Sequence, residues 1–394
     1  MKKYDFDTPV NRRGTNSMKW DTHPDVLPMW VADMDFKTMP EITDALRKRV
    51  DEGIFGYTIV PDSYYQAVTG WFARRHQWQM DPKWILTSTG VVPATAAVLR
   101  ALTLPGEKVL IQTPVYNCFY YSIRNCGCET TENALVRQGD TYVIDFDDFE
   151  QRCADPRTTA FLLCSPHNPA GRVWTKEELK RMLDICRRHD VAVIADEIHC
   201  ELVMPGQKFT PFACCDEDAM DQTVVLNSPS KNFNLAGLQV ANIICKNDHW
   251  RRKIDRALNI HETCELNPFG VIALQVAYNE GDEWIDQLNG YLWGNYQELK
   301  QFFAENLPGI EVLRLEGTYL VWVDCKGLKF TSDELEQMLL DEGKVWVNSG
   351  TLYGRTAGEG YLRINIATSR ATLREGLKRI YSVLSQHLSY GRKA

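Results

Sequence analysis

Three apolar runs near the middle of the chain each stop abruptly in polar residues. Thr159-Ala-Phe-Leu-Leu-Cys164 ends in Ser165-Pro-His-Asn168-Pro-Ala-Gly171, Val191-Ala-Val-Ile-Ala195 ends in Asp196-Glu-Ile-His199, and Thr223-Val-Val-Leu-Asn227 ends in Ser228-Pro-Ser-Lys231. Short unbroken apolar runs bounded by turn residues predict strands buried on both faces. Between the first two, Thr175 caps a helix with Glu178 three residues on, and Leu179, Met182, Leu183 and Cys186 share one face. Strand, helix, strand in that order predicts parallel strands with a crossover helix, and the pattern is read as continuing through residues 241–245.

Elsewhere the pattern predicts helices over 40–50, 94–104 and 291–306, a strand over 108–111 and a helical middle that includes His261 to Tyr278. Residues 311–315 and 319–323 read as paired strands joined at Gly317, and Thr331 with Glu334 caps a further helix. In residues 361–367, Leu362, Ile364 and Ile366 alternate with Arg363 and Asn365, which places an arginine on one face of a strand. Such an arginine wants an anion, although a salt bridge would also explain it.

The polar strand ends carry the chemistry. In an open α/β sheet, ligands bind outside the carboxyl ends of the strands, so Asn168, Asp196 and Lys231 converge even though they are distant in sequence. A lysine at the mouth of an apolar sheet loses hydration, its pKa falls, and its free amine can condense with an aldehyde. A carboxylate, an amide and a lysine amine together suit a pyridine cofactor: the first keeps the ring nitrogen protonated, the second bonds a ring hydroxyl, the third makes the covalent link. Thr87-Ser-Thr-Gly90-Val91-Val92-Pro93 opens a predicted helix, where free N–H groups can receive a phosphate. The hydroxyls of Ser228 and Ser230 can do the same.

The ordered set Asn168-Pro-x-Gly171, Asp196-Glu-Ile and Ser228-x-Ser-Lys231 resembles the fold-type I pyridoxal 5'-phosphate (PLP) enzymes of the aminotransferase superfamily. Pro28-Met-Trp-Val-Ala-Asp-Met-Asp-Phe36, Asn168-Pro-Ala-Gly-Arg-Val-Trp174, Asp196-Glu-Ile-His199 and Lys231-x-Phe-Asn-x-Ala-Gly237 are similar to the MalY/PatB carbon–sulfur lyases, the cystathionine β-lyases. The resemblance spans nearly the whole chain. It implies an α/β PLP-dependent transferase fold: a large domain over 41–283 with a mostly parallel sheet between helices, and a smaller α+β domain from 1–40 and 284–394. It also implies roles residue by residue. Lys231 carries PLP and acts as base, and Tyr116 stacks on the ring and takes part in proton transfer. Gly90, Val91, Val92, Asn168, Asp196, His199, Ser228 and Ser230 surround the cofactor. Tyr57 reaches the phosphate of the other subunit, which makes the active unit a homodimer. Arg363 holds the substrate carboxylate, with Trp30 and Ala32 contributing to the substrate pocket.

Two positions depart from the wider superfamily. His199 stands where many aminotransferases have tyrosine, and Gln239 where many have a phosphate-binding arginine; both favour the lyase subgroup. Ser349-Gly350 replaces the Pro-Gly that often precedes the Tyr-Gly turn, here Tyr353-Gly354.

Composition narrows the alternatives. A chain of 394 residues, 44% hydrophobic and 24% charged, has the make-up of an ordinary globular enzyme. Its net charge of −8, without a dense Lys/Arg block, argues against a nucleic-acid partner. No apolar run reaches the roughly 20 residues of a membrane helix, and Met1-Lys-Lys leads into Tyr4-Asp-Phe-Asp7 rather than an apolar core, so a cytoplasmic protein is expected. The 12 cysteines are scattered; Cys126-Gly-Cys128 and Cys214-Cys215 lack the second pair that a metal site would need, so no metal is expected. The functional expectation is α,β-elimination from L-cystathionine or a related thioether, giving pyruvate, ammonia and a thiol. An aminotransferase of the same fold, or a PLP-binding regulatory protein with little turnover, are the other two readings, because the same residues serve all three.

Overall fold

The computed structural model describes residues 2–390. Its centre is a seven-stranded sheet in the order Ile85–Ser88, Ala241–Cys245, Thr223–Asn227, Ala192–Asp196, Thr158–Cys164, Lys108–Thr113, Glu129–Ala134. Six strands are parallel. Ala241–Cys245 runs antiparallel to both its neighbours, which corrects its reading as a continuation of the parallel repeat. The cause lies in the connection from residue 228 to 240, which makes turns and one short 3-10 turn, with no crossover helix to carry the chain back.

Period-two alternation divides the sheet between two apolar layers. Phe161, Leu163, Val193, Ala195 and Val225 pack on the side of Leu179, Met182 and Leu183 from helix Lys176–Arg188. Leu162, Ile194, Val224, Leu226 and Ile243 pack on the other side with Ala94 and Val98 from helix Val91–Leu102 and Ile254 and Leu258 from helix Asp248–Ile260. Helices therefore cover both faces, and each fully buried Leu or Ile contributes roughly 1.5–3 kcal/mol. Thr175 and Glu178 form the capping box read from the sequence.

The expected helical middle is two helices, Asp248–Ile260 and Pro268–Glu280, and residues 261–267 between them are not helical. Asn267 caps the second through its side chain, with Pro268 in the first turn, a start signal that the periodicity overrode. The helix expected over 291–306 begins earlier, as Asp282–Asn306.

A four-stranded antiparallel sheet follows, in the order Glu311–Val312, Leu320–Asp324, Tyr361–Asn365, Asn348–Ser349. Its first strand is shorter than the 311–315 expected. Gly317 is needed for close approach rather than for a turn, since a Cβ there would lie 2.9 Å from both Pro166 and Val173; the left-handed residue is its neighbour Thr318, with φ of 71°. Leu27–Pro28 pairs in parallel with Val345–Trp346, which brings the N-terminal segment back to the C-terminal part of the chain.

Candidate active site

Sheet register sets the site. Cys164 pairs with Asp196, and Asp196 with Leu226, so the three apolar runs end side by side and deliver their polar tails to one edge. A cavity of about 360 Å³ opens there. Gly90, Val91, Val92, Tyr116, Asn168, Asp196, His199, Ser230, Lys231 and Ala32 line it, so most of the residues singled out from sequence meet in one place.

Its electrostatics follow from burial. Asp196 is 5% exposed; desolvation pushes its carboxyl up to about 7, against an N–H bond from Ile198 (3.1 Å to Oδ1) and the charge of Lys231. Burial pushes His199 down to about 3, with Lys231 and Arg363 acting in the same direction, so its imidazole is neutral. Its Nδ1 is buried without a partner, and the ring meets Tyr319 edge-on with centroids 6.1 Å apart. Burial likewise lowers the Lys231 amine and raises the Tyr116 phenol well above its ordinary value. The Lys231 amine thus gives up a proton more readily, and the Asp196 carboxyl takes one up more readily, than either would in water.

At one end, Gly90 precedes helix Val91–Leu102 with φ of 149° and no side-chain cap. As the first residues of the helix, Val91 and Val92 have N–H groups with no partner within it, Pro93 has no N–H at all, and all three residues line the cavity. A Cβ on residue 90 would be strained by that φ, which explains the glycine. Gln239 lines this cavity too.

Arg363 on strand Tyr361–Asn365 is 3% exposed and does not itself line the cavity, which it meets through Asn168. Its Nη1 donates to Asn168 Oδ1 (3.2 Å) and its Nη2 to the Trp30 carbonyl (2.6 Å), while Nε is buried with no partner. The guanidinium also lies over the Tyr353 ring at 4.7 Å. An arginine with an open buried N–H is a ready anion receptor.

Three expectations change in detail. Ser228 does not line the cavity: its Oγ donates to the Val240 carbonyl (2.6 Å) and accepts from the Ser230 N–H (3.0 Å), so it holds the turn on which Ser230 and Lys231 stand. Trp30 offers its carbonyl to Arg363, not its ring, which stacks on Trp346 at 4.0 Å. Tyr57 is fully exposed and outside this cavity, in a surface stretch with exposed Ile54, Phe55 and Ile59.

Sequence reasoning passed over Asn348, Tyr353, Asn365 and Tyr319, which hold the Trp30–Ala32 backbone or stack on Arg363. The alternation that exposed Arg363 also put Asn365 on the same face, which was the available signal. All 12 cysteines are free thiols, and no helix among the described residues is long and apolar enough to cross a membrane.

Residues 24–380 match the aminotransferase class I and II family. The chain is 42% identical to cystathionine beta-lyase PatB of Bacillus subtilis (strain 168), over 96% of this chain and 100% of that protein. Its fold superposes on cystalysin of Treponema denticola, which contains a pyridoxal 5'-phosphate cofactor, with a TM-score of 0.95 at 36% identity, covering 98% of this chain and 100% of the other. The PLP-bound C-S lyase of Staphylococcus hominis is similar at 32% identity and a TM-score of 0.91, over 97% and 98% of the two chains.

Proposed function

The chain belongs to the aminotransferase class I and II family, and from that membership we propose that it is a PLP-dependent carbon–sulfur lyase. It cleaves L-cystathionine or a related cysteine thioether by α,β-elimination to pyruvate, ammonia and a thiol. The observation that carries this reading is the joint one of a cavity with Lys231, Asp196 and Asn168 at the strand ends and full-length similarity to proteins named as carbon–sulfur lyases.

The residues fit the cofactor. The buried Asp196 carboxyl is costly to ionise alone and suits a protonated pyridine nitrogen; the uncapped first turn at Gly90, Val91 and Val92, with Ser230, suits a phosphate. Tyr116 supplies an aromatic wall, Asn168 and His199 polar edges, and the Lys231 amine the covalent attachment. Bound PLP supplies an aldehyde that captures amino groups and a ring that accepts electrons from the substrate's Cα. Arg363 receives the substrate carboxylate. Lys231 Nζ, once free, takes the Cα proton, helped by an amine pKa that burial has lowered. The raised Tyr116 phenol keeps its proton and is available as a donor in the same cavity as that amine. Ala32 closes that side of the pocket.

Residues 41–283 form the cofactor-binding domain, and 2–40 with 284–390 the smaller one, the remaining residues of the expected 1–40 and 284–394 lying outside the described residues. The protein works as a cytoplasmic homodimer in which the exposed Tyr57 completes the partner's phosphate site; the run of exposed apolar side chains around it supports a covered surface.

Purified, PLP-loaded protein mixed with L-cystathionine in the absence of any oxo acid should release pyruvate and thiol together, continuously and in equal amounts. Release of neither, with 2-oxoglutarate and amino acids cycling the cofactor between aldehyde and amine forms, would replace the lyase with an aminotransferase.

A further inference from the structure

From Trp30 to Met34 the backbone carbonyls are taken one after another by side chains from distant parts of the chain. The Trp30 oxygen accepts from Arg363 and Asn348, that of Val31 from Asn365 Nδ2 (2.5 Å), and that of Ala32 from Lys231 Nζ (2.6 Å) and Tyr319 Oη (3.0 Å). Those of Asp33 and Met34 accept from Asn365 Nδ2 (2.7 Å) and Arg12 Nη1 (3.0 Å). Two of these donors are the amine and the guanidinium assigned above to the reaction. An irregular segment with no helical or strand ladder of its own thus turns two of its carbonyls, those of Trp30 and Ala32, onto the active-site side chains.

Behind the segment lies a cluster of charges. Asp33 Oδ2 accepts from Arg12 Nη2 (2.6 Å) and its Oδ1 lies 3.5 Å from Lys19 Nζ. Asp35 accepts from Arg12 (2.9 Å), Lys19 (3.0 Å) and Trp20 Nε1 (2.8 Å). Lys19 is 2% exposed and Asp35 7%. Buried ion pairs add little stability over an apolar packing of the same volume, and their best-attested use is to fix one conformation among several. Here the conformation fixed is that of residues 30–34, a strap whose carbonyls hold Lys231 and Arg363.

Resting on the lyase reading, we propose that Asp33 is a positioning residue: gripped by Arg12 and Lys19, it seats the strap so that the Ala32 carbonyl holds the Lys231 amine and the Trp30 carbonyl holds the Arg363 fork. The charged and titratable groups around Lys231 are Asp33 of the strap, Asp196 and His199 at the strand end, Arg363 of the four-stranded sheet, Tyr116 of the cavity wall and Cys118 of the helix after it. Burial lowers the amine most; Asp33 opposes it ahead of Asp196, and Arg363 reinforces it. Asp33 in turn faces Arg12, Lys19 and Tyr319. The strap therefore sets both the place and the charge state of the amine.

The test uses the full chain stripped of cofactor, labelled with trace acetic anhydride across a pH series, with acetylation of Lys231 read by peptide mass spectrometry. Asp33→Asn should lower the labelling midpoint by about one pH unit, and in the loaded enzyme it should raise the amino-acid KM several-fold. A folded Asp33→Asn protein with an unchanged midpoint overturns the proposal. If that variant does not fold, Arg12→Gln decides. Without its Arg12 grip Asp33 should no longer seat the strap against the amine, so the midpoint should fall, and an unchanged or raised midpoint overturns the proposal. Labelling needs neither cofactor nor substrate, so a wild-type protein that releases no pyruvate would refute the lyase reading while the midpoint shift still reports on the strap.

Discussion

Arg363 Nη1 donates to Asn168 Oδ1 at 3.2 Å, joining a strand of the four-stranded sheet to the loop at the end of a central strand of the seven-stranded one. One hydrogen bond thus sets the distance between the residue proposed to receive the substrate carboxylate and one proposed to hold the cofactor. Lysine at 363 would keep the charge but lose the planar fork that serves Asn168, Trp30 and an incoming anion at once. Arg363→Lys should raise the KM for amino acids about tenfold or more with a smaller change in kcat. Steady-state kinetics check this; an unchanged KM would mean that the carboxylate is held elsewhere.

The loop carrying Asn168 has its own anchor. Glu316 Oε2 accepts from Arg172 Nε and from the Val173 N–H, both at 2.9 Å, in a place where Glu316 is 7% and Arg172 6% exposed. Arg172 keeps a second carboxylate partner, Glu178 at 3.0 Å, so removing Glu316 strands the Arg172 Nε and Val173 N–H donors rather than a whole charge. Glu316→Ala should cost about 1–3 kcal/mol in unfolding free energy, measured by denaturant titration. Since Asn168 rides on that loop, cofactor affinity should weaken as well, whereas a purely local effect would leave affinity unchanged.

The placement of these residues shows which features the sequence makes legible. Asn168, Asp196 and Lys231 were readable because each follows an apolar run, and β-sheet geometry turns three such ends into one edge. Strand Glu129–Ala134 was not, because it is a largely exposed edge strand with a polar sequence and so gives no apolar signal. The strap was legible only as a motif. Its contribution runs through backbone oxygens of Trp30 and Ala32, and a carbonyl leaves no mark on side-chain type. Ser228 shows the reverse error: a hydroxyl of the right kind beside Lys231 is turned away to satisfy the Val240 carbonyl, a long-range contact that no local pattern reveals.

Lys231→Ala removes both the proposed cofactor attachment and the base. Turnover should fall by orders of magnitude, general-base loss alone being about a hundredfold to ten-thousandfold, and the absorbance of the covalently held cofactor should vanish. A variant that keeps near-normal release of pyruvate would sink the assignment of Lys231. Because the Ala32 carbonyl would lose only one of its two donors, Tyr319 Oη remaining at 3.0 Å, the fold should survive the substitution and circular dichroism should be unchanged.

Asp196 yields a prediction about pH. Burial holds its carboxyl at about 7 in the fold against an ordinary 3.8, so folding takes up a proton between those values. Its contribution to stability is complete below about 4 and is lost as pH rises through about 7. His199 runs the other way: pushed down to about 3 from 6.5, it contributes fully above about 6.5 and loses that contribution as pH falls through about 3. The neighbouring Glu197, raised to about 8 by burial, has the same sign as Asp196. Asp196→Asn removes one of these three and leaves the others. Thermal melts of cofactor-free protein should therefore show the variant gaining on wild type as pH rises from about 4 to 8, by at most a few kcal/mol at about 1.4 kcal/mol per unit of pKa difference. Parallel curves would mean that the carboxyl ionises freely in the fold. Adding PLP at pH 8 should then reverse the order, because a protonated pyridine nitrogen compensates a carboxylate in wild type and has none to meet in Asp196→Asn; if the cofactor stabilises both proteins equally, Asp196 does not hold the ring.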